Sequence, residues 1–244
     1  MSFAKTLATT QRVLKQLHHD PRTIALILGI PVVLLTLLKF VFQDKAMLFN
    51  ATAPVLLGIF PLLIMFLVTS IATLRERTSG TLDRLMTQPI SKLDIMLGYA
   101  LAFSLVGLVQ AGIASFVALG LLDVHVAGET YMLFTTATLA SFLGTTLGLF
   151  MSAFAKNEFQ AVQLVMPIIM PQVLLCGLFI PREQMARPLE LVSNVLPLTY
   201  SVDAMQQVAR SSTWSGILSR DLLVVFCCGI VALLLGSATI KRQE

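Results

Sequence analysis

Charge is what this sequence has least of. Asp, Glu, Lys and Arg make up 12% of its 244 residues, and 56% are hydrophobic; soluble domains carry about 25% charged residues. Mean hydropathy is +0.85. Helices apolar all round belong in lipid or in a very large core, so an ordinary soluble domain is excluded. Cysteine is scarce as well. Cys176, Cys227 and Cys228 lie inside apolar runs, and His18, His19 and His125 stand in no ligand spacing, so no metal site is expected. The sequence has no GxxxxGK[ST] phosphate loop, no Gly-Lys pair and no HExxH, so it carries no ATPase site or zinc protease site of its own. No Asp or Glu falls inside an apolar run. Ion-coupled carriers and pumps keep such a carboxylate in the membrane, and an intramembrane hydrolase would need a nucleophile and a base there. No cleavable leader is expected at the polar, amphipathic N-terminus. With no internal repeat, residues 1–244 read as one membrane domain, catalytic residues none, which is either passive or driven from outside.

Six apolar runs have the roughly 20 residues that a membrane helix needs: Ile24–Phe42, Ala51–Leu74, Ile95–Leu122, Tyr131–Ala155, Phe159–Ile180 and Leu222–Ile240. Lys39 is the one charge within them, close enough to an end to snorkel. Six spans put both termini on one side. Lys5, Arg12, Lys15, Arg22, Arg75, Arg77, Arg84, Lys92, Lys156, Lys241 and Arg242 fall there, against Lys39, Lys45, Arg182, Arg187, Arg210 and Arg220 opposite. The richer side is expected to be cytoplasmic, in a cell inner or plasma membrane. Because the basic residues flank apolar runs, the net charge of +4 points to topology and not to a nucleic-acid partner.

Residues 1–20 predict a basic amphipathic helix lying in the membrane interface, with Phe3, Leu7, Thr10, Leu14 and Leu17 on one stripe and Lys5, Arg12 and Lys15 off it. Residues 181–213 are external and too polar to span; apolar spacing predicts two short helices broken by Pro197, dipping into the outer leaflet or packing over the bundle. Gly29/Pro31 and Pro167/Pro171 mark helix bends, which line a path that opens or simply fit a curved bundle. Gly144 and Gly148 form a small-xxx-small pair expected to serve helix packing within the chain. The fold class is therefore an all-α integral membrane protein with six transmembrane helices, an N-terminal interfacial helix and short external helices between spans five and six.

The loop 75–94 is the most charged stretch, with Arg75, Glu76, Arg77, Asp83, Arg84, Lys92 and Asp94. Thr81–Met86 predicts a short helix with Leu82, Leu85 and Met86 on its apolar side, Gly80 turning before it and Pro89 closing it. Mixed charge fits a protein contact better than a lipid patch, which would be basic only; a solvated loop that fixes topology is the other reading.

Glu76-Arg77-Thr78-Ser79-Gly80-Thr81-Leu82-Asp83-Arg84-Leu85, followed by Gln88-Pro89-Ile90, resembles the E-x-x-x-G-T-[LM]-[ED]-x-L signature of type-2 ABC exporter permeases. Asp83 stands where members often have Glu. Gly177 to Pro181, then Pro197-Leu198-Thr199-Tyr200 and Asp203, are similar to that family's external pattern, with Cys176 at a position where a small polar residue is common. The closest branch by resemblance is the daunorubicin-resistance-like permeases. What the resemblance implies is a coupling helix, Glu76, Gly80, Thr81, Leu82, Asp83 and Arg84, docking on a separate ABC ATP-binding subunit present in two copies. ATP and Mg would reside on that partner, with no cofactor in this chain. A second copy of the chain, or a related permease, would complete the complex. Spans two and five would line a path at the dimer interface, with Leu56, Phe60, Met65, Phe66, Met166, Met170, Gln172 and Leu174 facing it. This adaptable Met- and Phe-rich surface suits a hydrophobic or amphiphilic substrate such as a drug, an antibiotic or a lipid conjugate. The external segment carries Gly177, Pro181, Pro197, Tyr200 and Asp203. A non-transporting scaffold that recruits a cytoplasmic partner is the alternative; an ion-coupled carrier lacks its buried carboxylate.

Overall fold

The computed structural model describes residues 2–43, 45–87 and 89–239, and omits the side chain of Asp83. Gln88, Lys241, Arg242 and the Asp83 carboxylate, all invoked above, lie outside the described residues. Among those residues every regular element is helical: α1 (Phe3–His18), α2 (Pro21–Val41), α3 (Ala46–Thr78), α4 (Thr81–Met86), α5 (Lys92–Gly120), α6 (Thr130–Met151), α7 (Glu158–Gln163), α8 (Val165–Ile168), α9 (Met170–Leu175), a 3₁₀ turn (Arg182–Gln184), α10 (Arg187–Ser193), α11 (Pro197–Arg210) and α12 (Gly216–Thr239). Six stretches are long and apolar enough to cross a membrane: α2, α3, α5, α6, the α7–α9 run and α12.

α3, α5 and α12 extend past their apolar runs because charge ended the runs but not the helices, whereas α6 and the α7–α9 run stop short of theirs. α3 continues to Thr78, through Arg75, Glu76 and Arg77, and passes Pro54 and Pro61 without breaking. Its 33 residues rise about 50 Å. α12 begins at Gly216 and holds Asp221 fully buried in its first turns. Carboxylates are thus buried near the ends of three span helices, Glu76 in α3, Asp94 in α5 and Asp221 in α12, each just outside the apolar run its helix contains. Glu76 and Asp221 are tolerated because a cation neutralises each, Arg12 and Arg220 respectively, and Asp94 accepts from Ser2 N and caps its own helix.

Span five departs furthest from a continuous helix. Pro167 and Pro171 cut it into α7, α8 and α9, because proline lacks the donor that would close each turn. Within the break, Gln172 Nε2 donates to the Ile168 carbonyl at 2.9 Å, the local repair that makes such breaks tolerable in lipid.

α3 and α6 form the centre of the bundle, with α12 on α6 and α11 laid across α3, α6 and α12. The Gly144/Gly148 pair makes the central contact possible. A methyl on Gly144 would overlap the Leu62 carbonyl oxygen, and one on Gly148 would lie 2.5 Å from Phe66 O. The small-xxx-small motif therefore serves packing within the chain, as expected. α11 shows a buried face of Leu198, Val202, Met205 and Val208, whereas Leu189, Leu191 and Val192 of α10 remain exposed.

α1 packs on α5 through Thr6, Thr9, Thr10, Val13 and Leu17. Thr10 Oγ1 donates to Gly98 O at 3.1 Å. Phe3 and Leu7 from the predicted stripe stay exposed. Thr10 and Leu17 of that stripe are buried instead, together with Thr6, Thr9 and Val13, so small threonines that hydrophobicity does not mark widen the face that meets protein.

Candidate functional site

The α3–α4 corner is built by a glycine. α3 ends at Thr78, and Gly80 adopts φ +72°, the left-handed conformation that suits a helix C-terminus and costs glycine little. Gly80 N donates to Arg77 O at 3.3 Å, and Arg84 N to Gly80 O at 3.1 Å, so α4 starts directly from the turn. α4 spans Thr81–Met86, as expected. Its apolar side faces the chain itself: Leu82 is 3% and Met86 8% exposed, and Leu85 packs on the same cluster. Leu82, which the resemblance implied as part of the docking helix, is therefore packed within the chain. What α4 and its approach present outward is polar: Thr78, Ser79, Arg84 and Thr87 are exposed, and Thr81 is half-buried.

Glu76 also differs from its expected place on a docking loop. It is 5% exposed, inside α3. Arg12 of α1 grips it with both arms: Nη1 donates to Oε1 at 3.1 Å and Nη2 to Oε2 at 2.7 Å. The same Nη2 donates to Tyr99 Oη of α5 at 2.7 Å, and the Tyr99 hydroxyl donates to Glu76 Oε2. The guanidinium carbon sits 5.6 Å from the Tyr99 ring centroid. Three helices thus meet at one bidentate ion pair, a geometry that arginine provides and lysine does not. The sequence pattern placed Arg12 among the cations of the cytoplasmic side, off the apolar stripe of residues 1–20, and left Tyr99 out entirely. The available signal was a tyrosine in an apolar run, whose hydroxyl requires a partner when buried.

The next two arginines bind span five. Arg75 Nε donates to Glu158 Oε1 at 2.6 Å and Nη2 to Oε2 at 3.1 Å, while Arg77 donates to Ala155 O, just ahead of α7. On the far side of α4, Lys5 of α1 donates to Pro89 O. Ser91 and Asp94 then cap α5 reciprocally, and Asp94 Oδ1 accepts from Ser2 N at 3.0 Å. The segment 75–94 is consequently anchored at both ends, to α1, α5 and span five.

The residues assigned to a path divide. Met65 and Phe66 are wholly buried within the chain, so neither lines an open surface. Gln172 is buried too, its Oε1 accepting from Leu198 N at 3.4 Å. Met166 and Leu174 are exposed at 66% and 60%; Leu56, Phe60 and Met170 are half-buried.

At the opposite end of the bundle, the external segment forms its own cluster. Gly177, at φ +88°, turns the chain after span five, and its carbonyl accepts from Gln206 Nε2. Pro181 leads into the 3₁₀ turn, and Pro197 opens α11. Tyr200 Oη donates to Asn194 O at 2.7 Å. Arg182 donates to Asp203, and to Asn194 Oδ1 at 2.9 Å. Burial pushes the Asp203 carboxyl up to about 6; Arg182 opposes this, and Asp221 and Glu183 add to it. Asp221 accepts from Gln207 Nε2 at 2.7 Å and from Arg220 Nη2 at 2.9 Å.

Known proteins resemble the chain over much of its length. It is 28% identical to the inner membrane transport permease YhhJ of Escherichia coli (strain K12) over 163 residues, 66% of this chain and 44% of that one. Identity to the probable multidrug ABC transporter permease YbhR of the same strain is 27% over 155 residues, 64% of this chain and 42% of the relative. For ABC transporter G family member 20 of Dictyostelium discoideum it is 26% over 159 residues, 65% and 22% of the two chains. The chain spans less than half the length of each of these relatives. The family model of the ABC-2 type transporters matches residues 4–209, and the chain belongs to that family.

Proposed function

We propose that this chain is the membrane-spanning permease subunit of an ATP-driven exporter, with the polar outer face of the α3–α4 corner docked on a separate ATP-binding subunit. The observation that carries this reading is the double anchoring of the α3 terminus. Glu76 ties it to α1 and α5, and Arg75 and Arg77 tie it to span five, immediately before a short helix with a polar exposed face. Displacement of α4 by a partner is then delivered to four helices through stiff polar contacts instead of dissipating in a loop. Glu76 acts here as the inner anchor, and Thr81, Arg84 and their exposed neighbours as the contact.

In this reading both termini face the cytoplasm of a cell inner or plasma membrane, ATP and Mg are held by two partner subunits, and a second copy of the chain or a related permease completes the path. The export substrate is hydrophobic or amphiphilic, supported by the exposed Met166 and Leu174 of the broken fifth span and by the name of the YbhR relative, a probable multidrug permease. The experiment is ATPase activity of the reconstituted complex with Glu76→Gln. Full assembly with loss of substrate stimulation supports the anchor role; unchanged stimulation overturns it.

A further inference from the structure

A groove of about 320 Å³ opens between α1, α2 and α3 on the α4 side of the bundle. That volume falls within the range of small-molecule sites. Leu26 and Ile30 of α2 form one wall, and Leu63, Leu67 and Ile71 of α3 the other. From Asp20 to Ile30 is ten residues, about 15 Å of helix rise, which is half the roughly 30 Å hydrocarbon core. The groove is therefore an apolar slot one leaflet deep.

Its charged lining is confined to one end, where Asp20, Arg75 and Glu76 meet. Two of the three are already neutralised, Glu76 by Arg12 and Arg75 by Glu158. Asp20 is held by neutral donors: Thr23 N at 3.1 Å and Thr23 Oγ1 at 2.6 Å. Among the described residues it is in no ion pair. Those two hydrogen bonds keep its carboxyl below the usual aspartate range, with Arg75 adding to the effect, so Asp20 is a carboxylate at neutral pH. The mouth thus carries one surplus negative charge above an apolar slot. An anionic lipid headgroup would meet like charge there, and an uncharged amphiphile would leave the carboxylate unanswered.

We propose that this groove binds an amphiphilic organic cation, its charged head against Asp20 and its apolar body between α2 and α3. This rests on the reading of the chain as a permease for amphiphiles and names the charge class it accepts. Because the slot also borders the α3 turn that carries Glu76, an occupant lies against the anchor that fixes α1 and α5.

The test is photolabelling of the purified chain, without any ATPase subunit, in phosphatidylglycerol nanodiscs. The probes are a decylammonium bearing a terminal diazirine and its neutral decanol counterpart, with adducts mapped by mass spectrometry. The expected result is saturable labelling by the ammonium probe within 26–30 and 63–71, and weak labelling there by the neutral one. Asp20→Asn keeps a good helix cap and should lower labelling about tenfold, the factor of one charge-assisted contact. Leu67→Trp should remove it by filling the slot. Equal labelling by both probes, or full labelling of Asp20→Asn, overturns the proposal. So does loss of labelling in phosphatidylcholine discs, which would assign the groove to choline groups of the bilayer. Since no ATPase is present, these outcomes are independent of whether the chain couples to one.

Discussion

At the residue scale, Glu76 and Arg12 together join α1, α3 and α5. Glu76→Ala leaves the Arg12 guanidinium without its carboxylate; breaking one side of a fully buried pair costs about 3–5 kcal/mol, and the cost here is smaller because the Arg12 side chain is 32% exposed. A fall in Tm in detergent is expected, with a smaller one for Glu76→Gln, which still accepts a hydrogen bond. Arg12→Lys should resemble the alanine variant more than its conserved charge suggests, because a single ammonium cannot span both oxygens and Tyr99. A Tm for Arg12→Lys equal to that of the unmodified chain would refute the three-helix junction. Asp203 makes a pH prediction. Its folded pKa, about 6, lies above its ordinary 3.8. A carboxyl raised in this way favours folding when protonated, so its contribution is complete below about pH 4 and is lost as pH rises through about 6. The chain should therefore melt lower at about pH 8 than at about pH 5, and Asp203→Asn should shrink that difference. A difference of full size in the variant would assign the effect to other groups.

At the element scale, the sequence disclosed what hydropathy and glycine encode. Six spans, α4 with its two ends, and the packing role of Gly144 and Gly148 were all legible, because apolar runs, turn glycines and small-residue spacing act locally. Long-range pairing was not. Nothing in the local pattern marks Arg12 as the partner of a residue 64 positions away, and a Thr face buried on α5 has no hydrophobic signature. The same cause moved the span ends, since a charge looks like a boundary until its partner is known. Packing predictions belong at this scale. Gly144→Ala should destabilise the chain by about 1–3 kcal/mol through overpacking against α3, read as a Tm drop in detergent, whereas Gly216→Ala, which meets open space, should not. Arg75 and Glu158 are both about half exposed, so breaking this pair should cost at most about 1 kcal/mol of stability. Its effect should appear in coupling. Arg75→Glu should impair substrate-stimulated ATP hydrolysis, and adding Glu158→Arg should restore much of it; no rescue would leave span five outside the relay.

For the whole molecule, the arrangement is a bundle with two polar ends of different character. One end gathers α1, α3, α5 and span five around a buried ion pair beside an outward-facing short helix. The other closes α9, α11 and α12 with Arg182, Asp203 and Asp221. Between them lies an apolar interior, and beside it span five is broken at Pro167 and Pro171, where it has the least helical hydrogen bonding to lose on bending. Such a body transmits a push at one end to the other if its corner helix is held firmly, which is what the Glu76 and Arg75 contacts provide. The measurement that tests this most directly places a photo-crosslinking amino acid at Arg84, on the exposed face of α4, in cells expressing the full chain. The adduct is then identified by mass spectrometry, with the same label at exposed Val195, in the turn after α10, as control. An adduct at Arg84 with a subunit bearing a GxxxxGK[ST] phosphate loop, absent at Val195, is the predicted result. Adducts with lipid alone at Arg84, or the same ATPase captured equally from Val195, would contradict it.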